Sequence, residues 1–209
     1  MALPRVIPLF PLPAVVLLPH VAAPLHIFEP RYRKMVADVL ETHRTIGMTL
    51  LRPGWERDYY GRPKIFEQGC AGVIERHEPL PGGRSNIVLS ALSRFRVLEE
   101  HAGEPYRLAT VEPLAEVDDD GGGRGPVRKR VMDAVARLAK APVVVEGSAE
   151  LPFEIFVSAI APCLELTPLE LQSLIECDGA VPRGRRLAEI LEFRALEQAQ
   201  PLPSPTRLH

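Results

Sequence analysis

At Asp118-Asp119-Asp120-Gly121-Gly122-Gly123-Arg124-Gly125-Pro126 the hydrophobic pattern of this chain changes period. Before this segment, short apolar runs are broken by proline and glycine, which is the pattern of strands. After it, apolar residues recur at helical spacing. Consecutive glycines lose too much conformational entropy on ordering to be held in regular structure without strong packing, so the segment reads as a linker. The three aspartates lack the spaced oxygens and closing glutamate of a calcium loop. The expected organisation is a strand-rich domain over residues 1–117, a flexible linker over 118–126, a helical part over 127–197 and a disordered tail over 198–209. Within the tail, Pro201, Pro203 and Pro205 have no N–H to offer regular structure.

In the first half the candidate strands are Arg5–Phe10, Ala14–Leu18, Leu25–Phe28, Thr45–Leu51, Ile65–Glu78, Ser85–Ala91, Phe95–Glu100 and Tyr106–Glu112. Pro81-Gly82-Gly83-Arg84 joins two of them as a hairpin signal, because glycine reaches the positive φ of tight turns. One segment departs from the pattern. Pro30 suits a first helical position, and Tyr32, Met35, Val36, Val39 and Leu40 then share one helix face, with Arg31, Lys34, Asp38 and Glu41 opposite. Many short strands with one helix predict a small closed or half-closed barrel. In the second half, Val127, Val131, Val135 and Leu138 form one stripe, and Phe153, Phe156, Val157, Ile160, Ala161 and Leu164 form another. Thr167-Pro168-Leu169-Glu170 is a capping box opening a third helix, and a fourth runs through Leu187, Ile190 and Leu191.

Composition narrows the function. With 25 lysines and arginines against 27 acidic residues, the net charge of -2 gives no global attraction for nucleic acid or anionic lipid. No stretch approaches the ~20 apolar residues that span a bilayer, and the run Val15–Leu18 lacks the flanks of a signal peptide, so a cytoplasmic protein is expected. Cys70, Cys163 and Cys177 are too scattered for a zinc site or disulfide framework and read as reduced and mostly buried. The six histidines contain no His-x-x-x-His pair, so no metal centre is expected. No phosphate-cradling Gly-Lys-Ser/Thr or Gly-x-Ser-x-Gly sequence occurs, and Cys70 reads as one face of a strand with Gly72 and Ile74 rather than a nucleophile. Neither catalytic residues nor a cofactor are expected.

The loop from Arg52 to Gly61 carries the single tryptophan, Trp55, with Tyr59 and Tyr60. Aromatic side chains on a loop bury much area with few rotatable bonds, so they form either a recognition surface or a lid folded over the barrel end.

A linked series of motifs now carries a resemblance: Leu9-Phe10-Pro11-Leu12, Val16-Leu17-Leu18-Pro19, and Pro24-Leu25-His26-Ile27-Phe28-Glu29-Pro30-Arg31-Tyr32. It continues through Ile46-Gly47-Met48, Gly69-Cys70-Ala71-Gly72-Val73-Ile74, Leu92-Ser93-Arg94-Phe95-Arg96-Val97 and Leu171-Gln172-Ser173-Leu174-Ile175-Glu176. The series resembles the N-terminal substrate-binding domain of Lon-type ATP-dependent proteases, which also occurs as a free-standing bacterial protein. Ala91 stands where relatives usually have glycine, implying a slightly different bend. The resemblance implies an α+β fold, a PUA-like β pseudo-barrel with one helix followed by an α-helical bundle. It also implies a non-catalytic module that binds unfolded or tagged polypeptides or acts as an adaptor, with an ATP-dependent protease as a partner, and no ATPase or serine–lysine peptidase module. The candidate peptide contacts are Arg31, Lys34, Trp55, Tyr59 and Tyr60. The alternative is a PUA-like RNA-binding protein using Arg94 and Arg96 around Phe95; the near-neutral charge makes nucleic acid the lesser expectation.

Overall fold

The structure, a computed structural model, describes residues 2–103, 105–117, 122–138 and 150–199. The strand-rich half contains β1 (Val6–Leu12), β2 (Ala22–Ile27), α1 (Pro30–Leu40), β3 (Thr45–Leu50), β4 (Gln68–Pro79), β5 (Ser85–His101) and β6 (Arg107–Leu114). The helical half contains α2 (Arg124–Arg137), α3 (Phe153–Ile160), α4 (Pro168–Ile175) and α5 (Ala180–Ala199). The six strands form one mixed sheet in the order β2-β5-β4-β3-β1-β6, and β5 also pairs with β6, which curls the sheet into a barrel-like form. The fold is therefore α+β, as the motifs imply.

Alpha-1 forms as its spacing predicts. Pro30 occupies the first turn, and Tyr32, Met35, Val36 and Val39 are buried. The helix belongs to the connection between β1 and β3, which run parallel and so need a crossover rather than a tight turn.

Two expectations for the strands require correction. Ala14–Leu18 joins no described ladder; Pro13 and Pro19 bracket it without donors, and Leu17 and Leu18 serve the core as extended chain instead. Ser85–Ala91 and Phe95–Glu100 are not two strands but one. Ala71 pairs with Ser93 and Gly72 with Ala91, leaving Leu92 as an extra residue, and a second irregularity falls between Val97 and Glu99. Such bulges bend a strand without ending it. The first part of β5 therefore pairs with β2 and the later part with β6.

The helical half starts earlier than its apolar stripe indicates: residues 124–126 of the expected linker already belong to α2. Residues 118–121 of that linker, and the tail from 200 onward, lie outside the described residues. At the start of α4 both halves of the capping box are present: the Glu170 N–H donates to Thr167 Oγ1 at 3.3 Å, and the Thr167 N–H donates to Glu170 Oε2 at 2.6 Å. Thr167→Ala is expected to remove about 1 kcal/mol of stability, read as a small drop in thermal midpoint.

One core runs through both halves. Phe10, Leu18, Cys70 and Leu89 from the barrel join Phe156, Leu174 and Leu187 from the helices. A smaller cluster of Ile7, Leu9, Leu51, Ile65, Ala71, Phe95, Ala109 and Val111 fills the other side of the sheet. Gln172 Nε2 donates to the carbonyl of Gln68 at 3.1 Å, tying α4 to the start of β4. Of the three cysteines only Cys70 is buried, its thiol pushed up to about 12 by that burial; Cys163 is exposed and Cys177 half-buried, fewer than composition led us to expect.

Candidate functional site

Glu29 precedes α1 in an extended conformation, and its carbonyl accepts from the N–H groups of Tyr32 and Arg33. Its carboxylate makes no cap to the helix and turns to side chains instead. Arg31 Nε and Nη2 both reach Glu29 Oε2 at 3.0 Å, and the Tyr59 hydroxyl donates to Glu29 Oε1 at 2.7 Å. The Arg31 guanidinium lies 4.5 Å from the ring centre of Tyr32, 5.0 Å from Tyr59 and 6.0 Å from Tyr60. Cation–aromatic attraction and a charge-assisted bond thus fix the same side chain.

The aromatic loop splits between its two readings. Gly54, at φ 92°, starts a short 3-10 turn over Trp55–Asp58 that folds Trp55 and Tyr59 onto the smaller core. Trp55 and Tyr59 meet edge to face at 5.5 Å, and Tyr59 meets Tyr60 in the same way at 5.1 Å. Those two are a lid; Tyr60, 87% exposed, is surface.

Tyr60 stands at a cleft of about 200 Å³ lined by Arg31, Tyr32, Tyr60, Arg62, Tyr106 and Arg107, with small and proline residues between them. No carboxylate is among its described lining residues. Arg62 donates from Nη1 and Nη2 to the His101 carbonyl at 3.0 Å and from Nη2 to Gly103 at 2.9 Å, so it is oriented by neutral oxygens. Arg107 donates to the Pro63 carbonyl at 2.9 Å and meets Glu100 at 3.3 Å. The Tyr106 hydroxyl donates to Asp38 at 2.7 Å; burial and then the Asp38 carboxylate push it up to about 12. Burial and the bond to Glu29 likewise raise Tyr59. Both phenols are therefore protonated donors at neutral pH.

Of the five candidate contacts, Arg31 and Tyr60 line this cleft, while Trp55 and Tyr59 pack behind it. Lys34 stands apart, 58% exposed at its side chain and paired with Asp38 one turn along α1. Arg31 is not the solvated cation its helix position implied, since it is ion-paired and stacked. Arg62, Tyr106 and Arg107 escape sequence reasoning because nothing local marks them; they arrive from the loop before β4 and the start of β6. Of the strand residues offered for RNA, Arg94 is 1% exposed and Phe95 0%, while Arg96 is at the surface and paired with Glu112. Burial removes any stacking face from Phe95.

Among the described residues no cluster of histidine, cysteine or acidic side chains could hold a metal ion, and no helix is long and apolar enough to cross a membrane. The cleft lining offers donors, rings and positive charge, and so suits binding.

A model of the ATP-dependent protease La (LON) substrate-binding domain matches residues 6–192. The chain is 25% identical over 203 residues to a Lon protease of Cytophaga hutchinsonii, covering 90% of this chain and 24% of that protein. It is 26% identical over 202 residues to a Lon protease of Trichlorobacter lovleyi, covering 93% of this chain and again 24% of the relative. The chain thus spans about a quarter of the length of these curated relatives, and no ATPase or peptidase module is matched. Two solved structures share the fold. The N-terminal domain of the Mycobacterium avium complex Lon protease gives a TM-score of 0.71 at 13% identity, covering 90% of this chain and 98% of that one. A Lon N-terminal domain protein from Xanthomonas campestris gives 0.62 at 24% identity, covering 89% and 96%. Because the matched span takes in the barrel, the cleft beside α1 and the helices sharing its core, the chain belongs to the LON substrate-binding domain family.

Proposed function

We propose that this chain is a non-catalytic polypeptide-binding module that takes hold of unfolded or tagged polypeptides, alone or as an adaptor for an ATP-dependent protease. The observation that carries the reading is Tyr60, a large ring 87% exposed at the mouth of a cleft lined by three arginines and two further tyrosines. An exposed ring beside fixed cations binds apolar side chains and favours acidic neighbours in the same segment. The strand-rich and helical parts on either side of residues 118–126 act here as one body, because they share a core. The cytoplasm, where Cys70, Cys163 and Cys177 stay reduced, is the compartment this reading assigns.

The test is fluorescence anisotropy with a labelled unfolded polypeptide. Binding in the micromolar range is expected, and Tyr60→Ala is expected to raise Kd about 5- to 20-fold with the thermal midpoint unchanged. Absence of binding by the wild-type chain at about 100 μM, or a shift of bulk RNA at low salt in its place, would overturn the proposal.

A further inference from the structure

Among the described strands, β2 alone has a neighbour on one side only. Each of β1, β3, β4 and β6 pairs with two others, and β5 pairs with three. Curling the sheet thus leaves β2 open along its whole length; the other open stretch, Glu75–Pro79 of β4 beyond its ladder with β3, carries Glu75, Arg76 and Glu78.

The register shows which groups that edge presents. The Ala91 N–H donates to the Val21 carbonyl, and hydrogen-bonded pairs in an antiparallel ladder alternate. Ala23, Leu25 and Ile27 therefore bond to Leu89, Ile87 and Ser85. The intervening residues of β5, Ser90, Val88 and Asn86, face β4, where they pair with Val73, Arg76 and Glu78. Ala22, Pro24 and His26 consequently turn their main-chain groups away from the sheet. Pro24, having no N–H, fits that position and would break a ladder at either neighbour. The open edge offers the N–H and C=O of Ala22 and His26 and the C=O of Pro24.

Open edges are normally blunted by charge, and Ala22-Ala23-Pro24-Leu25-His26-Ile27 carries none; Pro24 is the one guard. Ala23 and Leu25 pack on the core while remaining half-buried. On the opposite face His26 stacks on Phe28 at 6.0 Å, and Phe28 is 58% exposed. From Phe28 the chain runs directly into Glu29 and then Arg31, which lines the cleft.

We propose that the β2 edge accepts an extended segment of a polypeptide as an added strand, with alternate apolar side chains covering Ala23 and Leu25. The occupant follows from the groups presented: unpaired strand amides and carbonyls are matched by another main chain, and half-buried apolar neighbours at every second position select alternation. Such segments lie buried in folded proteins and become available on unfolding. The inference rests on the polypeptide-binding reading and adds a second surface to it.

The test uses the full chain and a fluorescent ten-residue peptide of alternating valine and threonine, with and without N-methylation of alternate amides. N-methylation on the pairing side is expected to weaken binding at least tenfold. His26→Pro, which repeats the geometry of Pro24, is expected to raise Kd about fivefold, while His26→Ala, which keeps the N–H, leaves it within twofold. Equal affinity for the methylated peptide, or no effect of His26→Pro, overturns the edge proposal while leaving cleft binding intact. Sedimentation showing a dimer that His26→Pro dissolves overturns it too, since a second copy would then occupy the edge. Failure of the wild-type chain to bind either this peptide or any unfolded polypeptide removes both proposals.

Discussion

Glu116→Ala is expected to lower the stability of the chain by about 3 kcal/mol and its thermal midpoint by about 6–12 °C. Glu116 is the shared counter-charge of two arginines from different halves. Arg94 Nε on β5 meets Glu116 Oε1 at 2.5 Å, and Arg183 Nη2 on α5 meets both oxygens at 2.9 and 3.1 Å. Both guanidinium side chains are 0% exposed. Their other partners are carbonyls of Ile175, Ala115, Leu174 and Cys177, plus Asp178 at 3.4 Å, a residue 72% exposed at its side chain. Arg183 Nη1 is buried without a partner. Alanine at 116 would leave two buried cations facing neutral oxygens, and the loss reflects that uncompensated charge rather than the net worth of the pairs. Because Glu116 is 34% exposed, water can enter and the low end of the range applies. A midpoint shift under 2 °C in a circular dichroism melt would count against the cluster as a brace.

The same cluster predicts a pH dependence. Burial would raise the Glu116 carboxyl, but the bonds and charges of Arg183 and Arg94 more than offset this and hold it below the ordinary range. A depressed folded value means the contribution is complete above the unfolded carboxylate range and is lost as pH falls through the folded value. Stability should therefore decline on acidification below about pH 4, and less steeply in Glu116→Gln.

Gly69→Ala is the second large effect expected, about 2–3 kcal/mol in a urea titration. A Cβ at Gly69 would lie 2.2 Å from the Met48 carbonyl oxygen and 3.0 Å from Phe95 Cζ. Met48 belongs to β3 and pairs with Cys70, so its carbonyl cannot move without disturbing the ladder. Gly47 is the contrast. There a Cβ would meet Ile7 Cδ1 at 2.7 Å and Phe95 Cζ at 2.9 Å, both side-chain ends rather than backbone. Gly47→Ala should cost about 1 kcal/mol. Equal losses at the two positions would show that backbone approach is not what Gly69 protects.

Local chemistry made much of this fold readable in advance. Pro30 and the spacing of Tyr32, Met35, Val36 and Val39 specify α1, and Thr167 with Glu170 specifies the start of α4. The Gly82-Gly83 turn, both residues at positive φ, specifies the link between β4 and β5. Each depends on residues within two turns of helix or one hairpin, so the pattern and its cause lie in the same stretch of chain. The family motifs extend that reach because they link many such stretches.

Other features depended on what the chain returns to meet. Ala14–Leu18 is as apolar as a strand, yet no described strand pairs with it. Arg94 looks like a surface residue beside Phe95 until Glu116, 22 residues on, pairs with it and is itself held by Arg183, another 67 residues along the chain. The cleft unites Arg31 with Arg62, Tyr106 and Arg107 from three separate segments, and the open edge of β2 exists because every other strand found two neighbours. Periodicity determined which side of each element is dry. Which partner dries it, and which edges and charges are left over, was decided by tertiary packing, because burial and pairing are properties of distant segments brought together.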